Sequence, residues 1–187
     1  METTKTKTIN GVDVDTLFAT LDQIKENPDL ARFQFRARNK WINGSNNRAM
    51  IKDFYGALQE DDSREVMVFD EDEPPVLLGE NKGPNPVEYL LIALSGCITT
   101  ALVTHASAKG IELGSVQSRY EGDIDLRGFL GLSDTVKKQY ETIRVFFKIE
   151  ADLTEGEKEE LLQMAKNYSP VYNSIKDSVN VSVKLDK

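Results

Sequence analysis

The 187-residue chain has a single cysteine, Cys97, and a single histidine, His105. One cysteine excludes an internal disulfide framework, and one cysteine with one histidine is too few soft ligands for a structural zinc site. Basic residues are also scarce, with 23 Lys and Arg against 31 Asp and Glu giving a formal charge of -8. No cluster of lysines or arginines offsets that balance, so nucleic acid is not an expected partner. The opening run Met1–Thr8 lacks the apolar core of a secretory signal. A reducing cytoplasm is the expected compartment.

Charge is missing altogether from Tyr89 to Ala108, a stretch about long enough to cross a bilayer. Ser95, Thr99, Thr100, Thr104, His105 and Ser107 make it too polar for a lipid-facing helix, and no basic flank orients it. No membrane partner is expected. A helix that is apolar on nearly every side belongs at the centre of a core. Its start is marked by Asn85 as cap, Pro86 in the first position and Glu88 completing a capping box, and its stop by Gly110. Cys97 then lies near mid-helix, where the N-terminal dipole has faded. A reactive thiolate there needs a cationic or hydrogen-bonding partner from elsewhere in the fold.

With 40% hydrophobic residues the chain can bury one core, and residues 1–187 read as a single domain with residues 1–30 as an N-terminal helical extension. Val14, Leu17, Phe18, Leu21 and Ile24 recur at helical spacing after Asp13 and stop at Asn27-Pro28. Alternation from Phe33 to Trp41, turn residues from Asn43 to Asn47 and a second extended run from Arg48 to Tyr55 predict a β-hairpin. Glu65–Asp70 reads as a further strand, ended by Asp70-Glu71-Asp72-Glu73-Pro74-Pro75. Beyond the central helix, Ser115–Leu126 and Tyr140–Ile149 read as neighbouring antiparallel strands. Thr154 and Glu157 form a second capping box, Ser169-Pro170 restarts a short helix, and Val179, Val181, Val183 and Leu185 predict a closing strand. The fold class is α+β.

Three segments taken together, Gly83-Pro84-Asn85-Pro86 through Ser95-Gly96-Cys97, Glu121 to Gly128, and Ser169-Pro170-Val171-Tyr172, resemble the OsmC-like family, which includes the organic hydroperoxide resistance proteins. The likeness runs from about Phe33 to Leu185. It implies an OsmC-like fold, with antiparallel sheets wrapped around long central helices in an intertwined homodimer, and an active site at the subunit interface without metal or organic cofactor. In the peroxidase members a cysteine on the central helix attacks a hydroperoxide, a second cysteine resolves the product, and an arginine and a glutamate tune the first thiol.

Carried over residue by residue, Cys97 matches the attacking cysteine. The second cysteine is replaced by Ser169, beside Tyr172, and these two are candidate binding residues. The usual glutamate follows Asn-Pro directly, where this chain has Val87, so the candidate carboxylate Glu88 points about 100° further around the helix. Arg48 is the candidate arginine, with Arg36 and Arg38 as fallbacks. An ordinary thiol of pKa about 8.5 is only a few per cent ionised at neutral pH, so the anion needs a stabilising partner, and an arginine within hydrogen-bonding reach could hold both it and the leaving alkoxide.

Two readings stay open. One is a reductase of organic hydroperoxides that uses Cys97 and an external thiol. The other is a non-enzymatic protein that binds a small ligand or senses oxidants while keeping the fold.

Overall fold

The computed structural model describes residues 6–185; residues 1–5 of the expected extension and residues 186–187 lie outside it. The chain gathers into two compact units, one from Asp13–Leu90 with the residues before Thr8, the other from Leu91 onward with Thr8–Val12.

In the first unit Asp13 caps α1 (Val14–Glu26) by accepting the Thr16 N–H, and the helix stops at Asn27, ahead of Pro28. The extended run after it divides between two small antiparallel sheets. One is built from β3 (Gln34–Phe35), β6 (Phe54–Gly56) and β7 (Gln59–Asp61), the other from β4 (Arg38–Asn43), β5 (Asn46–Ile51) and β8 (Met67–Glu71). The expected hairpin is present as β4 and β5, turning at Gly44 with φ +56°. The expected second run is broken at Lys52-Asp53, where the chain passes from the β4–β5–β8 sheet to the β3–β6–β7 sheet and the Asp53 carboxylate accepts from Arg36 and Arg38, each at 3.0 Å.

A loop then leads to α2 (Pro86–Ala108), whose Asn85 Oδ1 accepts the Glu88 N–H while the Glu88 carboxylate accepts the Asn85 N–H. That reciprocal pair is the capping box the sequence predicts. The helix begins in the first unit and continues through the second.

In the second unit Leu94, Ile98, Leu102 and Ala106, spaced one turn apart on α2, are buried with Leu161 and Ala165 of α4 (Glu155–Asn167). Complete burial of a leucine such as Leu102 contributes about 2 kcal/mol. Against this core lie β9 (Leu113–Asp123) and β10 (Thr142–Ala151), paired antiparallel with Tyr120 opposite Val145. Between them Asp125 caps the short α3 (Leu126–Phe129).

The N-terminal segment contributes a hairpin that helical periodicity alone does not reveal: β1 (Thr8–Ile9) and β2 (Val12–Asp13) meet at Asn10-Gly11 with φ of 51° and 80°. Asn and Gly tolerate this left-handed turn. Asn10 donates to Ser107 Oγ at 3.1 Å and to the Ile111 carbonyl at 2.8 Å, and accepts the Leu113 N–H at 2.8 Å.

After α5 (Pro170–Asp177) the expected closing strand is not formed. Residues 178–185 carry no assigned secondary structure, and Val179, Val181, Val183 and Leu185 are 61%, 78%, 90% and 95% exposed. Alternation supplies a face, but a strand also needs hydrogen bonds to a neighbouring edge, and among the described residues the segment pairs with no strand.

Candidate functional site

Cys97 sits between Leu94 and Ile98 on α2 but on the adjacent flank, so it is half-buried where they are sealed. Helix geometry explains this, since the buried row advances four residues at a time and Cys97, at about 100° per residue, lies about 60° round the helix from Leu94 and about 100° from Ile98. The thiol is held by a rigid element and is neither in a loop nor closed inside the hydrocarbon core.

His105 lies two turns further along the same helix, about 12 Å along the axis, and its ring stacks on Tyr168 with 4.8 Å between centroids. This accounts for the only histidine through packing at the corner between α4 and α5. At that corner Ser169 is 0% exposed, and its Oγ accepts the Tyr172 N–H at 3.2 Å as the cap of α5. Ser169 and Tyr172 are thereby brought together. The Tyr172 ring is half-buried and packs on the core, with the Lys166 ammonium 5.8 Å from its centroid.

The remaining candidates are in the first unit. Arg48 on β5 donates to Asp70 on β8 through Nε at 2.7 Å and Nη2 at 3.2 Å, a forked pair across two neighbouring strands. The hydrogen bonds from Arg48 hold the Asp70 carboxyl below the usual carboxylate range, and Asp70 in turn raises Arg48. Arg36 bonds both Glu60 oxygens at 2.7 and 2.8 Å as well as Asp53, and Arg38 bonds Asp53. All three candidate arginines therefore have carboxylate partners. The Glu88 carboxylate is engaged in its capping box. Among the described residues no group of three or more His, Cys, Asp or Glu side chains is placed to hold a metal ion.

One group that the sequence marks only as a strand breaker is Asp72. It is 2% exposed, and its carboxylate accepts the Ser45 hydroxyl at 2.7 Å and the N–H groups of Glu73, Glu80 and Lys82 at 2.9, 3.0 and 3.2 Å. Those four donors, Ser45 foremost, outweigh the cost of burial and bring its pKa down to about 2. Asp72 thus fixes the loop that delivers the chain to α2. Gly79 and Gly83 fit beside it only because they lack side chains: a Cβ would fall 1.8 Å from the Glu73 carbonyl oxygen and 1.9 Å from that of Asp70. A run of four acidic residues followed by two glycines is the only sequence signal for this arrangement.

The OsmC-like protein family matches residues 79–184, more than half of the chain and all of its central helix. Among solved structures, an OsmC-like protein from Mycoplasma pneumoniae superposes with a TM-score of 0.60 at 16% identity, over 78% of this chain and 89% of that one. An organic hydroperoxide resistance protein OsmC from Legionella pneumophila gives 0.51 at 20% identity, over 76% and 90%. An OsmC-like protein of unknown function from Vibrio cholerae gives 0.56 at 12% identity, over 75% and 92%. At these identities the likeness establishes the fold. No curated protein matches the sequence. The α+β architecture, the central helix and the family match together identify the chain as a member of the OsmC-like protein family.

Proposed function

We propose that this OsmC-like protein is a cytoplasmic, homodimeric, thiol-dependent reductase of organic hydroperoxides, with Cys97 as its nucleophile. The observation that carries the reading is a lone thiol held half-open at the middle of the central helix, in a chain whose fold is shared by the organic hydroperoxide resistance protein OsmC of Legionella pneumophila.

The Cys97 thiolate attacks the distal oxygen of the hydroperoxide, the O–O bond breaks, and the alkoxide leaves as the alcohol after taking a proton. Sulfur is oxidised to a sulfenic acid. Two equivalents of an external thiol then return it to the thiol, releasing a disulfide and water. The external reductant is required because Ser169, a sealed helix cap, cannot form a disulfide. In this reading Arg48 supplies the cation for the thiolate and the leaving oxygen. Asp70 takes its Nε and Nη2 donors, which leaves other N–H groups of the guanidinium for a second anion. Glu88, the other carboxylate carried over from the resemblance, caps the helix that bears Cys97 and serves the reaction only by fixing the start of that helix. Tyr172, beside Ser169, provides apolar surface for the organic part of the substrate.

The non-enzymatic alternative is favoured by a specific observation: Arg36, Arg38 and Arg48 each have a carboxylate partner. Consumption of cumene hydroperoxide with a dithiol separates the two readings. The peroxidase reading requires turnover by the wild type that Cys97→Ser abolishes. Background consumption by both forms supports the binding or sensing protein.

A further inference from the structure

The tripeptide Ile-Asn-Gly occurs twice, as Ile9-Asn10-Gly11 and Ile42-Asn43-Gly44, and each copy lies at the turn of a hairpin. An Asn-Gly pair is chemically labile, because the asparagine carboxamide carbon is within reach of the next backbone nitrogen and glycine has no side chain to obstruct the approach. The glycines of the two copies are alike. Gly11 and Gly44 have φ of +80° and +56°, and apart from chain neighbours nothing lies within 4 Å of where a Cβ would stand on either.

The asparagines differ. Asn10 is engaged through its whole carboxamide, Nδ2 donating to Ser107 Oγ at 3.1 Å and to the Ile111 carbonyl at 2.8 Å while Oδ1 accepts the Leu113 N–H at 2.8 Å. Asn43 is exposed at the end of β4, its backbone opposite Asn46, and among the described residues its side chain has no hydrogen-bond partner. A carboxamide held on three sides cannot swing toward the next nitrogen without breaking those bonds, whereas a free one can.

We propose that Asn43 is a site of spontaneous deamidation and that its hydrogen bonds protect Asn10 from the same reaction. The Gly44 nitrogen, giving its proton to solvent, attacks Asn43 Cγ. The new N–Cγ bond closes a succinimide, the Cγ–Nδ2 bond breaks, and Nδ2 takes a proton and leaves as ammonia. Water then opens the ring at either carbonyl, leaving aspartate or isoaspartate with no change of oxidation state. Both products add a negative charge, and isoaspartate also places an extra carbon in the main chain. The change falls where Trp41 Nε1 donates to the Gly44 carbonyl at 3.0 Å and the Ser45 hydroxyl donates to Asp72 at 2.7 Å. Both bonds depend on the length of the turn, so the modified hairpin loses its hold on the loop that Asp72 organises. This is independent of the peroxidase reading.

The test is peptide mass spectrometry of the wild type held in warm, mildly alkaline buffer, folded and, in parallel, in concentrated urea. Each deamidation raises the mass of its peptide by about 1 Da. The folded protein should convert Asn43, with Asn10 at least about tenfold slower because its hydrogen bonds must open before the ring closes. In urea the two matched tripeptides should convert at similar rates. Folded protein that converts both equally, or that leaves Asn43 intact while the urea sample reacts, overturns the inference. A difference of the same size in urea overturns the protection by hydrogen bonds. Asn43→Gln, whose longer side chain cyclises far more slowly, gives the second arm. Aged wild type should melt several degrees below fresh protein and aged Asn43→Gln should not. Equal melting of aged and fresh wild type, with Asn43 converted, overturns the effect on the hairpin.

Discussion

The Ser45 hydroxyl donates to Asp72 Oδ1 at 2.7 Å, joining the turn of the β4–β5 hairpin to the loop that precedes the central helix. Since Asp72 also gathers three backbone N–H groups from residues 73–82, one buried carboxylate determines the path of that loop.

Replacing Asp72 with Asn keeps its shape but places an NH₂ against donors, so the melting temperature should fall by several degrees. The depressed carboxyl also sets a pH dependence. Its folded pKa of about 2 lies below the ordinary 3.8, so its stabilisation is present above the ordinary value and is lost as pH falls through the folded one. Thermal melts between pH 5 and about pH 2 should therefore show a steeper loss for the wild type than for Asp72→Asn. Parallel curves would contradict this role.

Ser169→Ala removes the cap of α5 and should cost about 1 kcal/mol in denaturant unfolding. Because the hydroxyl has no redox role in the proposed cycle, peroxide consumption per folded molecule should be unchanged. A fall in turnover exceeding the loss of folded protein would show that Ser169 takes part in the chemistry.

Asn10→Ala removes three hydrogen bonds and leaves alanine at φ 51°. Each effect is destabilising, and together they should cost roughly 2–4 kcal/mol. Asn10→Gly, which accepts the turn, should recover part of that loss. Equal stability of the two variants in urea would show that backbone strain contributes nothing there.

How far the sequence reveals this arrangement depends on whether the determining interactions are local. The capping boxes at Asn85/Glu88 and Thr154/Glu157 are visible because both partners lie three residues apart. The central helix is visible because Asn85, Pro86 and Glu88 at its start and Gly110 at its stop bracket a run without charge from Tyr89 to Ala108. The row Leu94, Ile98, Leu102 and Ala106 that it buries is not singled out, since that run is apolar on nearly every side. The pairing of β9 with β10 follows from two adjacent alternating segments. By contrast, Arg48 with Asp70 and Ser45 with Asp72 are separated by more than twenty residues, and no spacing rule joins them. The Asn10-Gly11 turn carries a local signal, but its anchoring to Ser107 is non-local. The segment from Val179 to Leu185 shows the limit from the other side. Its alternation is plain in the sequence, whereas its pairing depends on an edge the alternation does not specify.

The central claim is that the half-buried Cys97 is a peroxide-reactive thiol. The most direct measurement is mass spectrometry of the wild type after one equivalent of cumene hydroperoxide, with a sulfenic-acid probe present. The account predicts one probe adduct per chain, located at Cys97, forming within seconds, and absent from Cys97→Ser. A thiol that remains unmodified through prolonged exposure to excess peroxide would contradict it.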